Sequence, residues 1–172
     1  MDLWHFLGQA LGDIGALFNR KEPASPEFTP RAQQVFALAK YEAVRRHHDC
    51  IGIPHFLFAV VNSGKNAGSE LLRRLGANPA EIASELDSQF GLGRSQSEAL
   101  PYSRNLKKCL ALGAREATTL NHRFVGTDHL LLGMVRLGEE PAPGFFRRHQ
   151  LDLNRMRQDL GQQSNRQLQD TE

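Results

Sequence analysis

The sequence is written twice, and that constrains the fold more than any other feature. Sliding the 172 residues on themselves by 74 positions places Glu42-Ala43 on Glu116-Ala117, His48 on His122, and Gly52-x-x-His55 on Gly126-x-x-His129. The same slide matches Gly64 to Gly138 and Arg73-Arg74 to Arg147-Arg148. No gap is needed between Thr29/Ser103 and Leu86/Leu160, and thirteen of the 58 aligned positions are identical. A fixed period of this length means one supersecondary unit used twice, each copy closing the other's core. Every motif assigned in one copy can be tested against the other.

The unit reads as four helices. Thr29 is a good N-cap, and Pro30 at the first helical position loses no bond that a helix would make. Ala32, Val35, Phe36, Ala39 and Ala43 then form a helical stripe to about Arg46. The run from Ile51 to Val61, rich in β-branched and aromatic residues, could alone be a buried strand. Its twin, Val125 to Val135, opens on Thr127-Asp128 and is rich in Leu and Met, so both are read as buried helices. A short third helix stops at Gly76, and Asn78-Pro79-Ala80-Glu81 starts a fourth that runs to about Phe90. In the second copy Phe145-Phe146 stand for Leu71-Leu72, and Asp152 is the cap of the last helix.

The expected fold is therefore all-α: two pseudo-twofold-related four-helix repeats, about eight helices, plus an N-terminal amphipathic helix, with no sheet. The boundaries are an N-terminal segment and linker at 1–27, repeat one at 28–90, a linker at 91–101, repeat two at 102–160 and a polar tail at 161–172. The Gln/Asn-rich tail is expected to be disordered or a severed linker.

Composition narrows the function. A net charge of +2 leaves no electrostatic footprint for nucleic acid. The arginine pairs fall at expected helix ends, where cations offset the dipole. Cys50 and Cys109 are not at equivalent positions and read as reduced thiols, not a disulfide framework. The apolar stretch Leu3–Phe18 is too short for a membrane span and lacks a basic n-region, so a soluble, cytoplasmic chain is expected.

With those residues in hand, the chain resembles the Clp N-terminal domain, the double four-helix module that heads Clp-type AAA+ unfoldases. The matching stretches are Phe28-Thr29-Pro30-Arg31-Ala32, Leu38-Ala39-x-x-Glu42-Ala43, Leu71-Leu72-Arg73-Arg74-Leu75-Gly76 and Gly126-Thr127-Asp128-His129-Leu130-Leu131-Leu132-Gly133. The resemblance covers about 28–160 and implies a module that recruits substrates and adaptors to a Clp ATPase–protease, without catalysis or a cofactor of its own. It does not reach the ATPase. The Gly64-Lys65 pair has Ala59 where a P-loop needs its first glycine and Asn66 after the lysine. The chain is then either free-standing or the N-terminal piece of a longer one.

The resemblance also implies a site. In some family members each repeat forms a pocket for phosphorylated arginine from the first-helix threonine and a Gly-Thr-Glu-His motif. Helix N-terminal amides and a hydroxyl hold the phosphate, while a carboxylate holds the guanidinium. Carried over, the first pocket keeps Thr29 but has Ile53 and Pro54 for Thr-Glu, and is expected to be dead. The second has Ser103, Thr127 and Asp128, which preserve the chemistry on a shorter carboxylate. The plainer reading of those three residues is as helix caps.

Other clusters read as structural. His47, His48, Cys50 and His55 lie within nine residues, but Asn121 and Phe124 replace His47 and Cys50 in the second copy, so no metal site is assigned. The repeated His48/His122 and His55/His129 are expected to hydrogen-bond to backbone. Glu42 and Glu116 lack the partner that acid–base work needs and are read as capping or interhelix groups. No nucleophile–base arrangement emerges, so an enzyme is not expected.

The N-terminal stripe, with Trp4, Phe6 and Phe18, has three readings. It packs on its own domain, it docks a partner or pairs with a second copy as a homo-oligomer through residues 1–22, or it lies on a membrane. The last is disfavoured because the basic face that anionic lipid attracts is missing. The leading expectation is a protein-binding module whose partners are Clp ATPase or protease subunits, adaptors or substrate proteins. The alternative is a scaffold that presents the N-terminal helix for self-assembly or membrane-surface association.

Overall fold

A computed structural model describes residues 27–139, 141 and 144–169, with side chains described through residue 163. Trp4, Phe6, Phe18 and the expected N-terminal helix lie outside the described residues. Eight helices and one two-stranded sheet make up the rest.

Thr29 opens the first helix as its sequence dictates. Its backbone is extended, its hydroxyl accepts the Ala32 amide at 3.2 Å, and α1 runs Pro30–Arg45. Then come α2 (Ile53–Asn62), α3 (Ala67–Arg74) and α4 (Pro79–Gln89), the last capped by Asn78, whose side chain accepts the Ala80 amide. Repeat two follows with α5 (Arg104–Thr119), capped by Ser103 through Leu106 N at 3.1 Å, and α6 (Thr127–Leu137). It closes with the single turn α7 (Phe145–Arg148) and with α8 (Leu153–Gln169), where Asp152 accepts the Arg155 amide. The segment after Ile51 is thus a helix in both copies. The backbone irregularities repeat as well: φ is positive at His47 and Asn121, at Gly64 and Gly138, and at Gly76 and Gln150.

Two expectations need correction. A small sheet exists: β1 (Glu27–Phe28) pairs in parallel with β2 (Phe124–Val125), and Ile51 bridges Tyr102 in parallel. Both pairings join repeat one to repeat two. The residues ahead of α1 and α5 are extended because they lead into N-caps, and their backbone groups must find partners when buried. The pseudo-twofold supplies them crosswise: Thr29 N donates to Val125 O at 3.0 Å, and Ser103 N to Ile51 O at 2.9 Å. The second correction concerns the tail, which continues α8 as far as Gln169 rather than ending at Leu160. Gln, Arg and Leu are sound helix formers, so a polar composition does not by itself unwind a helix already nucleated.

The two repeats share one core. Phe36 on α1 sits fully buried between Phe28 (5.2 Å), Phe56 (5.0 Å) and Tyr102 of repeat two (6.3 Å). The helix pairs are not identical, however. Helices α5 and α6 meet through Gly113 and Gly133, where repeat one has the buried Ala39 and Ala59 at the equivalent positions. A Cβ on Gly133 would stand 2.4 Å from the Cys109 carbonyl oxygen and 2.7 Å from Gly113 N, so these two backbones are in contact.

Candidate functional site

Helices α5 and α6 run antiparallel. Asn105 hydrogen-bonds Glu139 at one end, and His122, just past α5, reaches His129 in the first turn of α6 at the other. Ser103 therefore lies at the far end of α6 from Thr127 and Asp128, and the structure does not bring these three together. The crosswise strands bring Thr29 instead: its amide is bonded to Val125, next to Gly126-Thr127-Asp128. Ser103 in turn is bonded to Ile51, beside Gly52-Ile53-Pro54. The groupings read within each repeat are exchanged between repeats, because the partner of each N-cap is set by the twofold and not by chain spacing.

Thr127 and Asp128 do not cap α6 either. The N-cap is Gly126, which has no side chain to offer, and Thr127 is the first helical residue. Its hydroxyl is spent on the seam between repeats: it accepts Gly68 N at 2.8 Å and donates to Asn66 Oδ1 at 2.9 Å. Asn66 is buried and fully engaged, donating to Val60 O, Ser63 Oγ and Gly64 O while accepting the Ser69 amide. This Asn66–Thr127–Gly68 junction was not read from the sequence. The available signal was that Asn66 has Glu140 as its counterpart, so the repeats had to differ there.

Asp128 is 8% exposed, and its Oδ1 is buried without a hydrogen-bond partner. It stands 3.2 Å from His129 Nδ1, but that nitrogen already accepts the Gly126 amide at 2.9 Å and so carries no proton to give. Asp128 lines a cleft of about 440 Å³ with Ala67, Asn121, His122, Arg123, Phe124, Leu160 and Gln163. The cleft thus combines an orphan carboxylate, a helix N-terminus with no side-chain cap, and the edge of α8.

The histidines form directional relays. Gly52 N donates to His55 Nδ1 at 3.0 Å, which leaves the His55 proton on Nε2, facing His48 Nδ1 at 2.5 Å. His48 Nε2 then donates to Gly91 O at 2.9 Å, tying the inter-repeat linker to α2. In repeat two Gly126 N donates to His129 Nδ1, and His129 Nε2 to His122 Nδ1 at 2.7 Å. His55 and His129 thus have both ring nitrogens engaged, Nδ1 accepting a backbone amide and Nε2 donating to the neighbouring ring. Burial pushes His55 down to about 4, with His48 and Arg46 acting in the same direction, and burial also lowers His129. Among the described residues, no group of three or more His, Cys, Asp or Glu is placed to hold a metal ion. Cys109 is buried with its thiol pushed up to about 12, far from a thiolate nucleophile.

The model of the Clp repeat (R) N-terminal domain matches residues 27–149. The chain is 38% identical over 133 residues to the negative regulator of genetic competence ClpC/MecB of Bacillus subtilis. It is 37% identical over 133 residues to the chaperone protein ClpB of Oceanobacillus iheyensis. Each match covers 77% of this chain and 16% of the relative, so the chain spans about a sixth of the length of these curated relatives. Among solved structures it is similar to the N-domain of ClpV from Vibrio cholerae, with TM-score 0.68 and 10% identity over 92% of this chain and 86% of that one. It is also similar to a ClpV N-domain in complex with a VipB peptide, with TM-score 0.61 and 14% identity over 75% and 85%. These structural likenesses carry the all-helical fold, and the sequence matches carry the kinship. With a doubled four-helix architecture and a family match over most of its length, the chain belongs to the Clp repeat N-terminal domain family.

Proposed function

We propose that this chain is a non-catalytic protein-binding module that recruits substrates or adaptors to a Clp ATPase–protease machine, or modulates one, in the cytoplasm. Its binding site is the cleft at the start of α6, and its ligand is a phosphorylated guanidinium on a protein chain. The observation that carries this reading is the buried Asp128 oxygen with no hydrogen-bond partner, at a helix N-terminus that no side chain caps. A carboxylate in that setting wants a cationic donor, and the helix amides beside it want an anion. A phosphoguanidinium offers both charges a bond apart.

Thr29, and not Ser103, is the N-cap held near this helix start, through its amide to Val125, while its hydroxyl serves α1. The equivalent crossing at Ser103 has Ile53 and Pro54, with no carboxylate and one amide fewer. The VipB peptide bound to the ClpV N-domain supports a peptide ligand for this fold. No helix among the described residues is long and apolar enough to cross a membrane.

Titration of the ¹⁵N-labelled chain with phosphoarginine tests the pocket. Shifts are expected at Gly126–His129 and Asn121–Phe124, and the Asp128→Ala variant should lose them. Silence at about millimolar ligand, or shifts confined to Ser103 and Ile53, would overturn the pocket. Capture of Clp ATPase subunits from native lysate tests recruitment separately, and their absence would overturn that part.

A further inference from the structure

The solvent face of α5 carries four cations and no anion. Arg104, Lys107, Lys108 and Arg115 are all exposed, and among the described residues none makes an ion pair or a side-chain hydrogen bond. Arg104, Lys108, Ala111 and Arg115 fall at steps of four, three and four, which makes one stripe about 16 Å long on the helix, with Lys107 beside it. Glu139, just past the end of α6, is held by Asn105 on the flank of the stripe.

This arrangement costs the helix stability. Arg104 is the first helical residue and Lys107 completes the first turn, where the dipole's positive end disfavours cations. Arg104 and Lys108 repel one another four residues apart. No acidic residue stands in that first turn to offset them. Nor does the fold ask for the stripe. The equivalent positions on α1 are Pro30, Gln33, Gln34 and Tyr41, which build the same helix in the same place without a cation.

We propose that the outer face of α5 is a docking surface for an acidic protein segment, distinct from the cleft at Asp128. Carboxylates spaced about 6 Å apart, one helical turn, match Arg104 to Lys108. Protein is the partner the surface fits. A stripe one helix wide on a chain of net charge +2 gives no broad field for a nucleic-acid duplex. A membrane would need apolar side chains to insert, and the only apolar residue in the stripe is Ala111.

The test is fluorescence anisotropy of a labelled, alternating Glu–Ala peptide with the full chain at about 50 mM salt. The Lys108→Glu, Arg115→Glu double variant should weaken binding at least about tenfold. The matched reversal Arg73→Glu, Arg147→Glu changes net charge equally, on other exposed helix ends, and should leave affinity within about twofold. Equal losses in both variants, no binding by the parent chain, or tighter binding of a uridine oligonucleotide or phosphatidylserine vesicles than of the peptide would each overturn the proposal.

Discussion

Arg157 reaches back from α8 to clasp Glu116 on α5 with two nitrogens, Nε to Oε2 at 2.8 Å and Nη2 to Oε1 at 2.6 Å. Glu116 is wholly buried, and Arg136 adds a third bond from α6 at 2.8 Å. The Arg157 bonds hold its carboxyl below the usual range against the opposing effect of burial. Repeat one reaches the same end differently. There Glu42 is met by Arg45 at the end of its own helix and by Arg46, the residue that caps it, and Arg46 passes the link to Asp87 on α4 while lying over the Phe90 ring at 4.2 Å. Both repeats lash their first helix to their fourth, one directly and one through an intermediary.

Removing Arg157 strips the buried Glu116 carboxylate of two of its three charged bonds and leaves Arg136 alone to compensate it. Arg157→Ala should therefore cost about 2–4 kcal/mol, read as a fall in the urea midpoint. Arg45→Ala removes a half-exposed partner and should cost under about 1 kcal/mol. Similar losses in the two variants would contradict the distinction.

Gly133 sets how closely α5 and α6 approach. Gly133→Ala drives a methyl into the Cys109 carbonyl and the Gly113 backbone, neither of which can swing away. The expected cost is at least about 2 kcal/mol, from overpacking against backbone. At the equivalent position in repeat one, Ala59→Gly should cost only about 1 kcal/mol, the helix-propensity difference plus a small cavity. Thermal melts of the two variants decide it.

Stability should fall as the solution is acidified. Unfolded His55 takes up a proton near its ordinary 6.5, whereas the folded residue resists until about 4. Across that window the unfolded chain binds more protons, so stability is full above 6.5 and declines as pH drops toward 4. Burial disfavours the charged ring first, and His48 and Arg46 add to it while Glu42 opposes. His129 is lowered in the same sense by burial, with Asp128 opposing, and adds to the decline. The His55 share is on the order of 2 kcal/mol after allowance for solvent screening. Urea midpoints at about pH 7 and about pH 5 measure it, and a flat profile between them would count against the relay.

Thr127 holds the seam between repeats through its hydroxyl. Thr127→Val keeps the shape but strands the buried Gly68 amide, at a cost of about 1–3 kcal/mol. Thr127→Ser retains both bonds and should lose less than about 1 kcal/mol. Denaturant titration separates the variants, and equal behaviour would mean the hydroxyl contributes nothing.

Much of the fold was legible because its signals are local. Thr29, Ser103, Asn78 and Asp152 cap the helices that spacing assigned to them, and the second copy resolved the strand-like run at 53–61 as α2. The candidate site was only half legible. Asp128 was named from its motif, but its companion depends on which helix ends the twofold brings together, and chain spacing points within a repeat. The use of Thr127 was hidden for a related reason. Its partner, Asn66, is 61 residues away, in a stretch where the two copies diverge. The helical course of residues 161–169 is hidden by their polar composition, because residue propensity and not polarity carries on a helix already begun.

The crossed pairs, Thr29 with Val125 and Ser103 with Ile51, carry a last consequence. Each copy lends its sibling the carbonyl on which the other's entry into its leading helix is hung. Snipping the linker would thus release no pair of autonomous folding units but two dependants. Each would regain its missing acceptor only by embracing the other, or a second molecule of its own kind.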